Sequence, residues 1–174
     1  IVGYGPDPGP TVDLLRSLPH AAIVGNHDLA VLGAVGLEGF NSNAAEAARW
    51  TANQLSLNQL EYLRSLPQEV EKGRVTLVHG SPLDPIWDYF LPNFMAPQAL
   101  RESFARFKTP LCLVGHSHIP FICLETNLSF RILPEGEVVN LDSERLVLNP
   151  GGVGQPRDGD PRASYAFYDD GLGT

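Results

Sequence analysis

Three short apolar runs, each ending in a glycine-bearing turn rich in imidazole, constrain this chain more than any other feature. Residues 21–24 (AAIV) lead into Gly25-Asn26-His27-Asp28, residues 75–78 (VTLV) into His79-Gly80-Ser81-Pro82, and residues 111–114 (LCLV) into Gly115-His116-Ser117-His118. Uninterrupted apolar runs of this length fit strands buried on both faces, and such a sheet needs helices to cover it. Four of the five histidines follow these runs. In open α/β sheets the ligand site forms beyond the carboxyl ends of the strands. The three ends therefore predict one crevice lined by imidazole and amide groups, with His20 outside it as an ordinary surface residue.

The rest of the chain supplies the covering. Apolar spacing predicts helices over residues 11–18, 43–55, 57–66 and 96–107, with 29–35 as a short fifth. Further β-rich runs lie at 121–124, 130–133, 145–148 and 164–168. Helices come first and strands dominate the second half, which predicts a mixed α/β fold of packed layers with helices outside. No repeat, low-complexity tract or linker divides the 174 residues, so one domain spanning 1–174 is expected. Cys112 and Cys123 sit inside apolar runs and read as buried, reduced thiols.

Charge removes several function classes. The net charge of -8 argues against an extended nucleic-acid surface or an anionic membrane, both of which call for clustered Lys and Arg. No apolar run approaches the ~20 residues of a membrane span, and the first ten residues lack the pattern of a signal peptide, so a cytoplasmic protein is expected. An acidic protein still holds a phosphate where metal ions supply the local positive charge.

Imidazole nitrogen with amide or carboxylate oxygen suits Zn, Mn or Fe ions, and the distance of both cysteines from these turns argues against a closed structural zinc site. His116 and His118, if extended, point to one side with α-carbons roughly 6.5 Å apart, a spacing that lets each ring reach a different ion of a pair. A lone histidine at a strand end is more often an ordinary hydrogen-bonded residue. Four of them after three similar runs make that reading the weaker one. Asn26 alone would be a turn residue.

In order and spacing, G-N-H-D at 25–28, V-H-G at 78–80 and G-H-S-H at 115–118 resemble the later motifs of the calcineurin-like metallophosphoesterases. The opening Val2-Gly3-Tyr4-Gly5-Pro6-Asp7-Pro8 and the closing stretch from Asn149 to Arg157 look like a bacterial branch of predicted phosphodiesterases near the YfcE-like phosphodiesterases. The resemblance implies a four-layer α/β-β/α sandwich and hydrolysis of phosphate esters by two divalent ions, drawn from Mn, Fe, Zn, Ni or Co. It implies Asn26, His79 and His116 on one ion, His118 on the other, and His27 as general acid with Asp28 holding its ring. The substrate class is a small-molecule or nucleotide phosphate ester; the motifs assign no substrate-binding residue and no oligomeric state.

The departures are equally specific. The family's first D-x-H strand and the G-D pair before Val2 are absent, and Gly152 stands where Ser is usual, so the expectation is a fragment lacking the first strand-helix unit and the far end. Asp7, Asp84, Asp158 and Asp160 read as turn residues rather than replacement ligands. Arg157 is either a phosphate contact or a surface salt bridge. Trp50, Trp87, Tyr89 and Phe90 read as core or loop packing. Two rivals remain: a non-catalytic scaffold on the same fold, which has no use for His27, and a mononuclear remnant.

Overall fold

The computed structural model describes residues 1–174, and the chain forms two compact units, residues 1–68 and 69–174. The first unit is helical. It contains α1 (Pro8–Ser17), α2 (Asn26–Val31), α3 (Ser42–Gln54) and α4 (Leu57–Ser65). Pro8 opens α1, where a missing N–H costs nothing. The Asn41 side chain caps α3 by accepting from Ala44 N–H at 2.9 Å. The inward stripes of these helices meet around Val12 and Leu63, both fully buried, with Val2, Val31, Ala48 and Leu55.

Two expectations fail in this unit. Residues 21–24 form no strand: Val24 N–H donates to the Pro67 carbonyl at 2.9 Å, a contact between loops rather than part of a ladder. An apolar, β-branched run becomes a strand only beside another strand, and residues 1–68 contain none. The short helix expected at 29–35 begins at Asn26, so Asn26, His27 and Asp28 form its first turn.

The second unit is built on one six-stranded mixed sheet. Its strands are β1 (Glu69–Lys72), β2 (Val75–Val78), β3 (Leu111–Leu113), β4 (Phe121–Leu124), β5 (Phe130–Arg131) and β6 (Leu146–Asn149), with α5 (Pro97–Arg106) between β2 and β3. The order is β1-β2-β3-β6-β4-β5. β2, β3 and β6 run parallel, with Val75 beside Leu111 and Leu111 beside Leu146, while β1, β4 and β5 pair antiparallel. The mixed α/β class expected from the sequence is what forms.

Period-two alternation sorts the sheet's side chains onto two faces. Cys112, Val114, Phe121, Cys123 and Val147 pack with Leu100, Phe104 and Phe107 from α5 and its end, and with Phe90. Leu111, Ile122 and Leu146 join Leu141 on the other face. Both cysteines are buried free thiols, and burial raises each thiol pKa to about 12. β1 was not anticipated, because Glu69, Glu71 and Lys72 carry no apolar signal. Gly73 at φ +59 closes the two-residue turn into β2, and the charges suit an exposed edge. The strand expected at 164–168 does not form; Tyr165 is 69% and Phe167 90% exposed. Ser164 N–H donates to the Gly152 carbonyl, and no ladder neighbour follows.

Candidate metal centre

In the second unit the carboxyl ends of three adjacent parallel strands deliver His79 after β2, the loop 115–118 after β3, and Asn149 at the end of β6. Gly115 N–H donates to the His79 carbonyl at 2.9 Å, which brings the two turns together. His79 Nε2 and His116 Nδ1 then face each other at 3.1 Å. The His116 ring is buried against Tyr89, with centroids 4.1 Å apart.

The loop is not extended, as the sequence had suggested. His116 and His118 both adopt left-handed backbone, at φ 60 and 58, and Ser117 N–H turns back to the Gly115 carbonyl at 2.6 Å. Such a conformation costs a non-glycine residue roughly 1–2 kcal/mol and is held only by surrounding contacts. One source of that hold is Asn149, which sequence reasoning missed. Its buried amide donates to the Gly115 carbonyl at 2.7 Å and to Ser117 Oγ at 3.0 Å, while its oxygen accepts from Gly151 N–H at 2.9 Å. The visible signal was a polar amide closing an apolar strand just before Pro150. His118 is fixed differently, through Nδ1 and the Gln155 carbonyl at 2.6 Å.

Burial, reinforced by the charge of Arg157, holds His116 neutral by lowering its pKa to about 4. His118 is lowered by burial too, against the opposing hydrogen bond to Gln155. Neutral imidazole is the ligating form. Two nitrogens on one tetrahedral ion, with bonds of ~2.05 Å, stand ~3.3 Å apart; the observed 3.1 Å between His79 and His116 is close to that. No group of three or more His, Cys, Asp and Glu side chains is gathered as a metal cage. The donors nevertheless fit an ion of the imidazole-preferring kind.

Arg157 is anchored beside this loop. Its N–H donates to the His118 carbonyl at 3.2 Å, and its guanidinium is held by Gln155 Oε1 at 3.0 and 3.2 Å rather than by a carboxylate. Asp84, Asp158 and Asp160 accept from backbone N–H groups two or three residues ahead, which is the expected turn chemistry. Phe90 is core, but Trp87 and Trp50 are 43% and 44% exposed, against the packing role expected of them.

In the first unit Asn26 is buried at the start of α2 and His27 lies half-buried between two rings, 4.5 Å from Tyr4 and 5.0 Å from Phe40 between centroids. Gly3, at φ +112, passes so close that a Cβ there would meet His27 Nδ1 at 2.6 Å. Asp28 is fully buried and gathers three donors: Gly25 N–H and Val2 N–H at 2.9 Å and the Ile1 nitrogen at 3.0 Å. It caps its own helix and ties the opening residues to it. His20 bonds the Leu18 carbonyl and the Tyr62 hydroxyl.

The model of the calcineurin-like phosphoesterase superfamily domain matches residues 6–170. An uncharacterised protein of Methanocaldococcus jannaschii, MJ0912, is 39% identical over 98% of this chain and 68% of its own length. Among solved structures, a metallophosphoesterase from Sphaerobacter thermophilus is 44% identical with a TM-score of 0.85, over 99% of this chain and 71% of that one. The hypothetical protein PH1004 from Pyrococcus horikoshii shares the fold at 19% identity and a TM-score of 0.61, over 87% of this chain and 60% of its own.

Proposed function

Because the chain belongs to the calcineurin-like phosphoesterase superfamily, we propose that it hydrolyses phosphodiesters or phosphomonoesters of small molecules or nucleotides with a pair of divalent metal ions. Phosphoester hydrolysis in general follows from the family, which uses divalent metals. The observation that carries the finer reading is the imidazole pair, His79 Nε2 to His116 Nδ1 at 3.1 Å, at the ends of neighbouring parallel strands.

Within the second unit, His79 and His116 would hold one ion and His118 the other. The chemistry supplied on binding is neutralisation of the phosphate oxygens and activation of water near neutral pH. Arg157, carried on the His118 carbonyl and steered by Gln155, grips a phosphate oxygen. His27 donates a proton to the departing alkoxide, and the rings of Tyr4 and Phe40 restrict where its imidazole can turn. The cytoplasm is the proposed location, and no helix is long and apolar enough to cross a membrane.

The test is metal content measured beside turnover. His116→Ala and His79→Ala are expected to lower bound Mn²⁺ and hydrolysis of bis-p-nitrophenyl phosphate together, since each removes a ligand. Full metal content and full turnover in His116→Ala would remove the metal-centre reading.

A further inference from the structure

A file of rings leads from the imidazole pair out to solvent. His79 and His116 are 4.9 Å apart between centroids, His116 and Tyr89 4.1 Å, and Tyr89 and Phe94 5.3 Å with a tilt of 37°. The file ends at Phe94, which is 67% exposed, and the indole of Trp87 on the same loop is also exposed.

The loop that displays these rings is tightly built. Gly80 N–H donates to the Pro85 carbonyl at 2.7 Å and Ser81 N–H to the Asp84 carbonyl at 2.9 Å. Ser81 Oγ donates to Asp88 at 2.6 Å and accepts from Leu83 and Asp84 N–H, while Asp84 accepts from Ile86 and Trp87. A Cβ on Gly80 would meet the Asp84 carbonyl oxygen at 2.6 Å, so the turn admits no larger residue. Ile86, Phe90 and Met95 anchor the loop from below. A segment this constrained, with apolar side chains available to bury, still presents Phe94 and Trp87 to water. Exposed aromatic surface continuous with a polar site is characteristic of ligand recognition.

Resting on the phosphoester reading above, we propose that the ester carried by this site bears a planar aromatic group, a nucleobase or a simple aryl ring, which stacks on the face formed by Phe94 and Tyr89. The ring file begins at His116, so a phosphate at the imidazoles places the organic part of the ester along it. An aliphatic ester gains little from such a face. Stacking a base on an aromatic side chain is worth about ten-fold in affinity within a wide range.

The experiment is calorimetric titration of the full chain, metal-free and with Mn²⁺, using adenosine 5′-monophosphate, phenyl phosphate and glycerol 3-phosphate. A Trp50→Phe background leaves Trp87 as the fluorescent reporter. Expected are a roughly ten-fold preference for an aromatic phosphate over glycerol phosphate and a matching Trp87 response. Phe94→Leu should collapse that ratio, and Phe94→Tyr should keep it. Phenyl phosphate equal to the nucleotide identifies any aryl group as sufficient, and weaker binding identifies the nucleobase. Equal affinities for all three ligands, or a preference that survives Phe94→Leu, overturn the proposal. So does a dimer that Phe94→Leu dissolves with no aromatic preference, which would make the face a protein interface. Turnover is scored separately by phosphate release, so an aromatic preference without hydrolysis would sink the enzyme reading and leave the stacking face standing.

Discussion

His27 and His116 are imidazoles placed by opposite means. His27 sits in the first turn of a helix, its backbone regular and its ring wedged between Tyr4 and Phe40. His116 sits past the end of a strand in left-handed backbone, held by a neighbouring turn, an amide from β6 and the ring of Tyr89. The first is positioned by local helix chemistry and side-chain packing. The second depends on strands distant in sequence lying side by side. The difference suits the proposed roles: a proton donor needs its ring aimed but exchangeable, whereas a metal ligand needs a neutral nitrogen fixed against another.

The sharpest way to break that comparison is His27→Ala. As proton donor it should cost about 10²–10⁴-fold in the rate of alkyl phosphodiester hydrolysis while bound metal stays near normal. Nitrophenolate leaves without protonation, so the loss should shrink with bis-p-nitrophenyl phosphate. Unchanged turnover of the alkyl ester in His27→Ala would strip the residue of this role.

Asn149→Ala comes next, because it tests whether the second region is held from a distance. The variant strands the Gly115 carbonyl and Ser117 hydroxyl in buried surroundings and frees a loop whose histidines are already strained. A stability loss of about 2 kcal/mol is expected from the unsatisfied groups, with metal affinity down about 10–100-fold. Urea unfolding of the metal-free chain and Mn²⁺ titration measure the two. If affinity holds while stability falls, Asn149 is scaffold alone.

Acid should separate the regions more gently. In the metal-free chain His116 has its pKa lowered to about 4 by burial, against ~6.5 when unfolded. Between these values the unfolded chain binds the additional proton, so stability rises with pH; it is fully present above ~6.5 and is lost as pH falls toward 4. His118, lowered in the same direction, adds to the slope. The expected loss is of the order of 2 kcal/mol. Unfolding followed through Trp87, in a Trp50→Phe background, should show it, and His116→Asn should flatten it. A Trp87 transition independent of pH from 6.5 to 4 would contradict the buried, neutral imidazole.

The same contrast explains what could be read from the sequence. Four of the five helices were legible because their periodicity and punctuation are local; α4 begins and α5 ends within one residue of the expected positions, whereas α2 starts three residues before its expected range. β2, β3, β4 and β6 were legible because burial on both faces leaves a continuous apolar run. Residues 21–24 and 164–168 carry that composition without a neighbour to pair with, and β1 pairs without that composition. The imidazoles stood out by following apolar runs. Asn149 did not, since its task exists only once β6 lies beside β3. The exposure of Trp87 and Phe94 was equally hidden, because packing and not residue type decides which aromatics stay in water.

The smallest effect tests how local the first region really is. Ser56 caps α4, accepting from Gln59 N–H at a long 3.4 Å, while Gln59 Oε1 accepts from Ser56 N–H at 2.9 Å. The two form a capping box, and a Ser-to-Ala change at such a cap costs about 0.5–2 kcal/mol. The long bond places Ser56→Ala at the low end of that range, about 0.5 kcal/mol. Gln59 does more. Its amide nitrogen also donates to the Gly9 carbonyl at 3.2 Å and to Asp13 at 2.9 Å, joining α4 to α1 across some fifty residues. Gln59→Ala should therefore cost about 1–2 kcal/mol by removing bonds at a buried site, at least twice the effect of Ser56→Ala. Urea unfolding followed through Trp50, in a Trp87→Phe background, reads both. If the two variants lose the same stability, only the cap matters and the first region is as local as its periodicity; if Gln59→Ala loses more, even the helical region depends on one contact that no window of its sequence contains.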